Sequence, residues 1–215
     1  MFVSRLFDVC PKVALSLIAG LFNACSNDAA PDAVVPDAVV EESAAVVVND
    51  GPERNSGLTM MSNHYPLDVA VGNVWGAIDE HFRIDFTLSN GNFSITPVTI
   101  NGTVVDLLAP AQSTAVFYAQ MFSPGTGFSF NTYAFVQDQP ISPAQSGVGF
   151  FTGAYIGIDN NDDGMVSLNE QISIIDGTVE FTGSLPDIEL HFQVTLATGE
   201  NVQGKYTGLF DFPVL

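Results

Sequence analysis

Cysteine is nearly absent from this 215-residue chain: Cys10 and Cys25 are the only two, and both fall in its first 25 residues. Nothing after residue 25 can therefore form a disulfide framework or supply a catalytic thiol. Basic side chains are also scarce, with 5 Lys and Arg against 24 Asp and Glu, a formal net charge of −19. A field of that sign repels phosphate backbones, which excludes nucleic acid as an expected partner, while it attracts divalent cations. Histidine is limited to His64, His81 and His191, and tryptophan to Trp75. No segment beyond the N-terminus sustains a helical period. The apolar run from Val13 to Phe22 is too short to span a bilayer.

That run has a different use. Arg5 and Lys12 precede it and Ala24 follows, the layout of a secretory signal. Cys25 comes directly after Ala24. In this order the segment resembles the type II signal peptide of bacterial lipoproteins, although Leu21 stands four residues before the Cys rather than three, and Asn23 occupies a place where a small residue is preferred. The resemblance implies removal of residues 1–24, lipidation of Cys25, attachment to the membrane through that lipid, and a periplasmic or cell-surface location in the envelope. Lipidation also gives a use to the one Cys that would survive export.

Residues 25–63 are expected to form a flexible acidic tether. "PDAVV" repeats in tandem at 31–35 and 36–40, the bulky side chains are valines, one Leu and two Met, and no aromatic residue occurs. Such a segment cannot bury enough surface to fold alone; as a flexible chain it would span roughly 35 Å end to end, and more where Pro and like charges keep it extended. The alternative is that "AAVVV" at 44–48 adds an edge strand to the following domain.

From residue 64 to 215 short alternating runs are separated by turn residues, the pattern of an all-β domain. Ile188, Leu190, Phe192, Val194 and Leu196 alternate with Glu189, His191, Gln193 and Thr195. After a turn, Val202, Tyr206, Phe210 and Phe212 return in phase, with Gly204 and Gly208 at inward positions that suggest close packing. Phe82, Ile84, Phe86 and Leu88 repeat the design, and Asn101-Gly102 signals a tight hairpin. Further strands are expected over 69–74, 98–108, 114–122, 128–136, 148–158, 172–175 and 178–181. The prediction is a single antiparallel β-sandwich or barrel of about 9–10 strands.

One specific motif lies in this domain. "DNNDDGMVSLNE", residues 159–170, fits the D-x-[DN]-x-[DN]-G-x5-E spacing of a calcium loop. Calcium takes six to eight oxygens, so Asp159, Asn161 and Asp163 would offer side-chain oxygens, Met165 its carbonyl, Ser167 a direct or water-mediated contact, and Glu170 both carboxylate oxygens. Over these twelve residues the chain resembles the EF-hand and dockerin loops, which implies a calcium cofactor and this ligand set. The flanks "GAYIGI" and "QISIIDGTVEF" read as strands, so the resemblance does not extend to a helix pair.

Other constellations are weaker. Asp79, Glu80 and His81 are adjacent and would point to opposite faces of a strand. His191 reads as solvated, and acidic residues are too numerous for any pair to stand out as catalytic. Trp75 and Tyr133 are the best candidates for exposed aromatic platforms that would stack on a sugar. The reading is a non-catalytic envelope lipoprotein whose calcium-stabilised β domain serves binding, adhesion or structure, with a glycan or an envelope protein as partner. The alternatives are a hydrolase acting on polysaccharide and a barrel holding a small apolar ligand. In cells fed labelled palmitate, the wild-type chain is expected to carry the label and the Cys25→Ala variant to lose it; equal labelling of both defeats the anchor.

Overall fold

The computed structural model describes residues 56–100, 102–137 and 145–211. The expected signal segment, Cys25 and the tether through residue 55, including the 44–48 stretch, lie outside the described residues.

Among the described residues twelve strands follow one another, more than the 9–10 expected: β1 (Gly57–Met60), β2 (Asn63–Pro66), β3 (Val69–Ile78), β4 (His81–Ser89), β5 (Asn92–Ile100) and β6 (Thr103–Gln112). Then come β7 (Ala115–Pro124), β8 (Thr132–Phe135), β9 (Phe150–Ile158), β10 (Gln171–Ser184), β11 (Asp187–Leu196) and β12 (Asn201–Asp211). The all-β expectation holds. The pairing is more than antiparallel, however, because β12 meets β3 and β8 meets β9 in parallel. Ten strands form one sheet in the order β11-β10-β8-β9-β7-β4-β3-β12-β1-β2, and a further β11–β12 pairing joins the sheet back on itself. The resulting circuit of β3, β4, β7, β9, β8, β10, β11 and β12 is a closed barrel with β1–β2 as an appended hairpin.

Two departures from expectation have local causes. β1 lies within the stretch assigned to the tether, yet Leu58 is wholly buried and Met60 nearly so. The four residues of β1 pair with β12 on one side and β2 on the other, so neighbours supply the order that their composition does not. The expected strands at 172–175 and 178–181 are one strand, β10, which runs through an irregularity between Ile174 and Asp176.

Alternation fills the barrel. Ile188, Leu190, Phe192, Val194 and Leu196 all point inward, as do Val202, Tyr206 and Phe210, while Glu189, His191 and Gln193 stay exposed. Phe117 stacks on Phe192 at 4.4 Å, and Phe86 meets Phe181 and Phe210 edge-on at 5.1 and 4.9 Å. Side chains thus occupy the interior, which leaves the apolar-ligand alternative without support from the core. The hairpin β5–β6 forms its own two-stranded sheet, paired up to Ile100 against Thr103, with Gly102 at φ +83°; Asn101 lies outside the described residues. It covers the outside of β3: Phe93 and Leu108 pack on Val71. The Asn73 amide donates to the Leu108 carbonyl and accepts from the Leu108 N–H, both at 2.9 Å, in imitation of a strand pair.

Close packing explains Gly204. A Cβ there would lie 2.1 Å from the Phe192 ring, and that ring is held from behind by Phe117. Gly204→Ala is expected to cost about 1–3 kcal/mol through overpacking, read as a lower urea midpoint with an unchanged slope; an unchanged midpoint would mean that the ring can retreat.

Candidate metal loop and binding surface

The predicted loop joins β9 to β10, and these strands pair directly at its base, Tyr155 to Gly157 against Gln171 to Ser173. The connection is therefore a long hairpin loop, flanked by strands as its β-branched neighbours predicted. Gly157 lacks a side chain at the point where Val166 seats, a Cβ there falling 2.3 Å from Val166 Cγ1. The Asp159 N–H donates to the Thr114 carbonyl at 3.0 Å, which fixes the loop's entry against the start of β7.

Inside the loop the acceptors organise the backbone. Asp159 Oδ1 accepts the amides of Asn161 and Asp163 at 3.3 Å, and its Oδ2 accepts the Gly164 amide at 2.9 Å. Asn161 Oδ1 accepts from the Asp163 amide at 2.9 Å, and Asp163 Oδ1 from the Met165 amide at 3.0 Å. The reversal takes Asp162 to φ +59° and Gly164 to φ +83°, values at which glycine is at ease. A single 3-10 turn, Leu168–Glu170, then brings Glu170 back across the loop. One of its oxygens accepts the Asn160 amide at 2.9 Å; the other accepts the Ser167 amide at 2.8 Å and the Ser167 hydroxyl at 2.6 Å.

Those bonds, the one from the Ser167 hydroxyl foremost, hold the Glu170 carboxyl down at about 2. Glu170 is a buried residue, and its carboxylate ties the loop's two ends together by accepting from Asn160 and Ser167. Asn161, Asp163 and Met165 are exposed, with Asp159 and Ser167 half-buried. The oxygen-only donor set suits a hard cation such as calcium. Asp159 Oδ2 and Asp163 Oδ1 each accept a single amide and so retain a lone pair, whereas Asp159 Oδ1 and the Ser167-bound oxygen of Glu170 each accept two donors. Among the described residues no three Asp, Glu, His or Cys side chains converge as a finished metal cage, so an ion would have to draw these carboxylates inward.

The aromatic candidates separate. Tyr133 is fully buried, which corrects the expectation of an exposed platform. Its ring lies against Phe128 and Phe181, and its hydroxyl donates to the Ser129 carbonyl at 2.5 Å, beside Ser123 Oγ at 3.0 Å, so burial leaves no polar atom unsatisfied. Trp75 sits half-buried where the β3–β4 register slips between Val74 and Gly76. The Arg83 guanidinium covers its ring at 5.0 Å and is itself clamped to Asp85 through two contacts of 2.9 and 3.1 Å. Tyr118 donates to the same carboxylate at 3.0 Å and stacks on Tyr155. Burial pushes the Tyr155 hydroxyl up to about 12. This outer cluster was not anticipated as a unit. Arg83 and Asp85 alternate with the core-facing Ile84 and Phe86, so they face outward, yet Asp85 is buried under its neighbours.

His81 is buried too. Its Nε2 faces the Gln145 and Val148 carbonyls at 2.9 and 3.0 Å, and Ser146 hydrogen-bonds Glu80, so the β3–β4 turn holds the 145–148 segment. His191 is exposed beside Glu189, as expected. Scans of the chain against protein-family models, characterised proteins and solved structures each return no match.

Glu170 makes the domain's stability depend on pH. Because its carboxyl lies at about 2 in the fold against an ordinary 4.5, its contribution is complete above about 4.5 and is lost as the pH falls toward 2. In calcium-free buffer the stability gap between wild type and Glu170→Gln, measured by urea unfolding, is expected to shrink over that window. A gap that stays constant from pH 5 to pH 2 contradicts the assignment.

Proposed function

We propose that this chain is an exported, lipid-anchored binding module of the bacterial envelope, non-catalytic, with a β domain that calcium stabilises at residues 159–170. Its partner is a glycan or an envelope protein. The observation that carries the reading is the loop itself: twelve residues with the sequence spacing of a calcium loop, whose Asp, Asn and Glu oxygens gather the backbone amides of a tight reversal.

Asp159, Asn161, Asp163 and Glu170 would hold the ion with side-chain oxygens, Met165 with its carbonyl, and Ser167 directly or through water. Bound calcium supplies the positive charge that lets three carboxylates share one corner of an acidic chain. The chain's own part is mechanical. β9 and β10 are hydrogen-bonded neighbours at the loop's base, so an ion there stiffens a barrel corner, whereas sensor proteins use it to open a helix pair. Export also fits a weak site, because extracellular calcium modules work at dissociation constants of about 0.1–1 mM.

Calorimetric titration of calcium into the exported chain is expected to show one site in that range, with the melting temperature rising as calcium is added. Asp159→Ala should abolish both effects. No heat at millimolar calcium, or unchanged binding in the variant, removes the calcium reading.

A further inference from the structure

The outer face of β10, β11, β12, β1 and β2 carries an ordered polar row. Thr178 stands opposite Gln193, Gln193 opposite Gln203, Gln203 opposite Thr59, and Thr59 opposite His64. With neighbouring strands about 4.8 Å apart, the row extends across five strands for about 19 Å. The adjacent row places His191 opposite Lys205 and Lys205 opposite Gly57. Two adjoining hollows of about 500 and 550 Å³ lie on this face, and Thr59, Gln193 and Gln203 line both, so they form one continuous groove. Gly57 contributes to its shape: a Cβ there would meet the His64 ring at 2.4 Å, so glycine lets the imidazole lie over the sheet. At the far end the Met61 N–H donates to Glu200 at 2.7 Å and pins the β1–β2 turn against the β11–β12 turn.

The charge of this groove is unlike that of the chain. The net charge is −19, yet no Asp or Glu lines either hollow, whereas His64, His191 and Lys205 do; the acids stay at the margin, Glu180 opposite His191 and Glu189 at 2.9 Å from its ring. The floor offers amides and hydroxyls, groups that both donate and accept hydrogen bonds. The backbone beneath is committed to its own ladder, so an added peptide strand finds no partner on the face of β11 and β12. Gln, Thr and His replace the buried aromatic anchors on which protein interfaces depend.

We infer that this groove binds an uncharged polysaccharide segment, its hydroxyls paired with Gln193, Gln203, Thr59 and Thr178. The overall negative field repels polyanions, which favours a neutral glycan over an acidic one. The inference rests on the binding-module reading and names its ligand class and its site.

The test titrates the exported chain, calcium present, with neutral hexasaccharides (β-1,3-glucan, β-1,4-glucan, α-1,4-glucan and β-1,4-mannan) and with an alginate hexamer as the polyanion. Binding is followed by calorimetry and amide chemical shifts. At least one neutral sugar is expected to bind and to shift amides of β11 and β12. The Gln193→Ala/Gln203→Ala variant, with its melting temperature checked against wild type, should bind it at least tenfold more weakly. Ile95→Ser, on the distant β5–β6 hairpin, should leave binding unchanged. Binding of alginate alone, equal affinity in the double variant, or no binding of any neutral sugar at millimolar concentration overturns the inference. Calcium titration is read separately, so a failed groove does not count as a failed calcium loop.

Discussion

Closure of the barrel rests on β12. Along one edge it pairs with β11 from Asn201 to Leu209. Its other edge is divided, β1 taking Gln203 to Lys205 and β3 taking Phe210 and Asp211 in parallel. A strand with both edges occupied leaves no template for another chain. The same constraint explains why so short a strand as β1 is ordered: it covers the stretch of β12 that β3 does not reach, and the Thr207 amide donates to Ser56 Oγ at 3.0 Å just beyond it. Phe210, itself part of the parallel contact, lies over Gly72 of β3 and meets Phe86 on the next strand, so closure and core packing form one structure.

Once the circuit is closed, the inside is committed. Phe86, Phe117, Phe151, Phe181 and Phe192 fill it, and further specificity has to come from connections and outer surfaces. Three regions there have distinct characters. The β9–β10 connection is acidic and bound to its own amides. The β3–β4–β7 exterior carries Trp75 beneath an Arg83 whose guanidinium, with the Tyr118 hydroxyl, is paired to Asp85. The β11–β12–β1 exterior keeps its amides and hydroxyls turned to solvent. Of the three, a self-paired network is the least available to an outside ligand, because a ligand would have to displace the Asp85 carboxylate from Arg83.

The inner surface was legible in the sequence because one physical rule, alternation against a buried face, operates over ten residues of β11 and of β12. Where that run is short, the rule loses its hold. β8 has four residues after the Asn131 break, and "FSFNTYAF" gives Phe128 and Tyr133 opposite parities although their rings lie parallel at 6.0 Å. Tyr133 was misplaced for that reason, and because a phenol is buried readily when a carbonyl accepts its hydroxyl. The outer layers were hidden for a different reason. Alternation marks Asp85, Thr87 and Ser89 as facing away from the core, but it does not reveal that a second layer covers that side. Ser89 is paired with Ser113, and Asp85 lies beneath Arg83 and Tyr118.

The 159–170 loop stood out in the sequence because its spacing is local and each position would have one chemical task in the proposed calcium site. Its context, however, reverses the usual consequence of the motif. In a helix pair, gathering ligands changes an interhelical angle and exposes a new surface. Here the loop springs from strands already locked by the Gly157–Gln171 and Tyr155–Ser173 pairings, and Asp159 is tied to Thr114 at the foot of β7. An ion's binding energy therefore has no large motion to drive and acts instead on the order of the corner itself. If the loop takes calcium as proposed, such a corner would couple the ion to folding, and the domain would mature only where calcium is abundant.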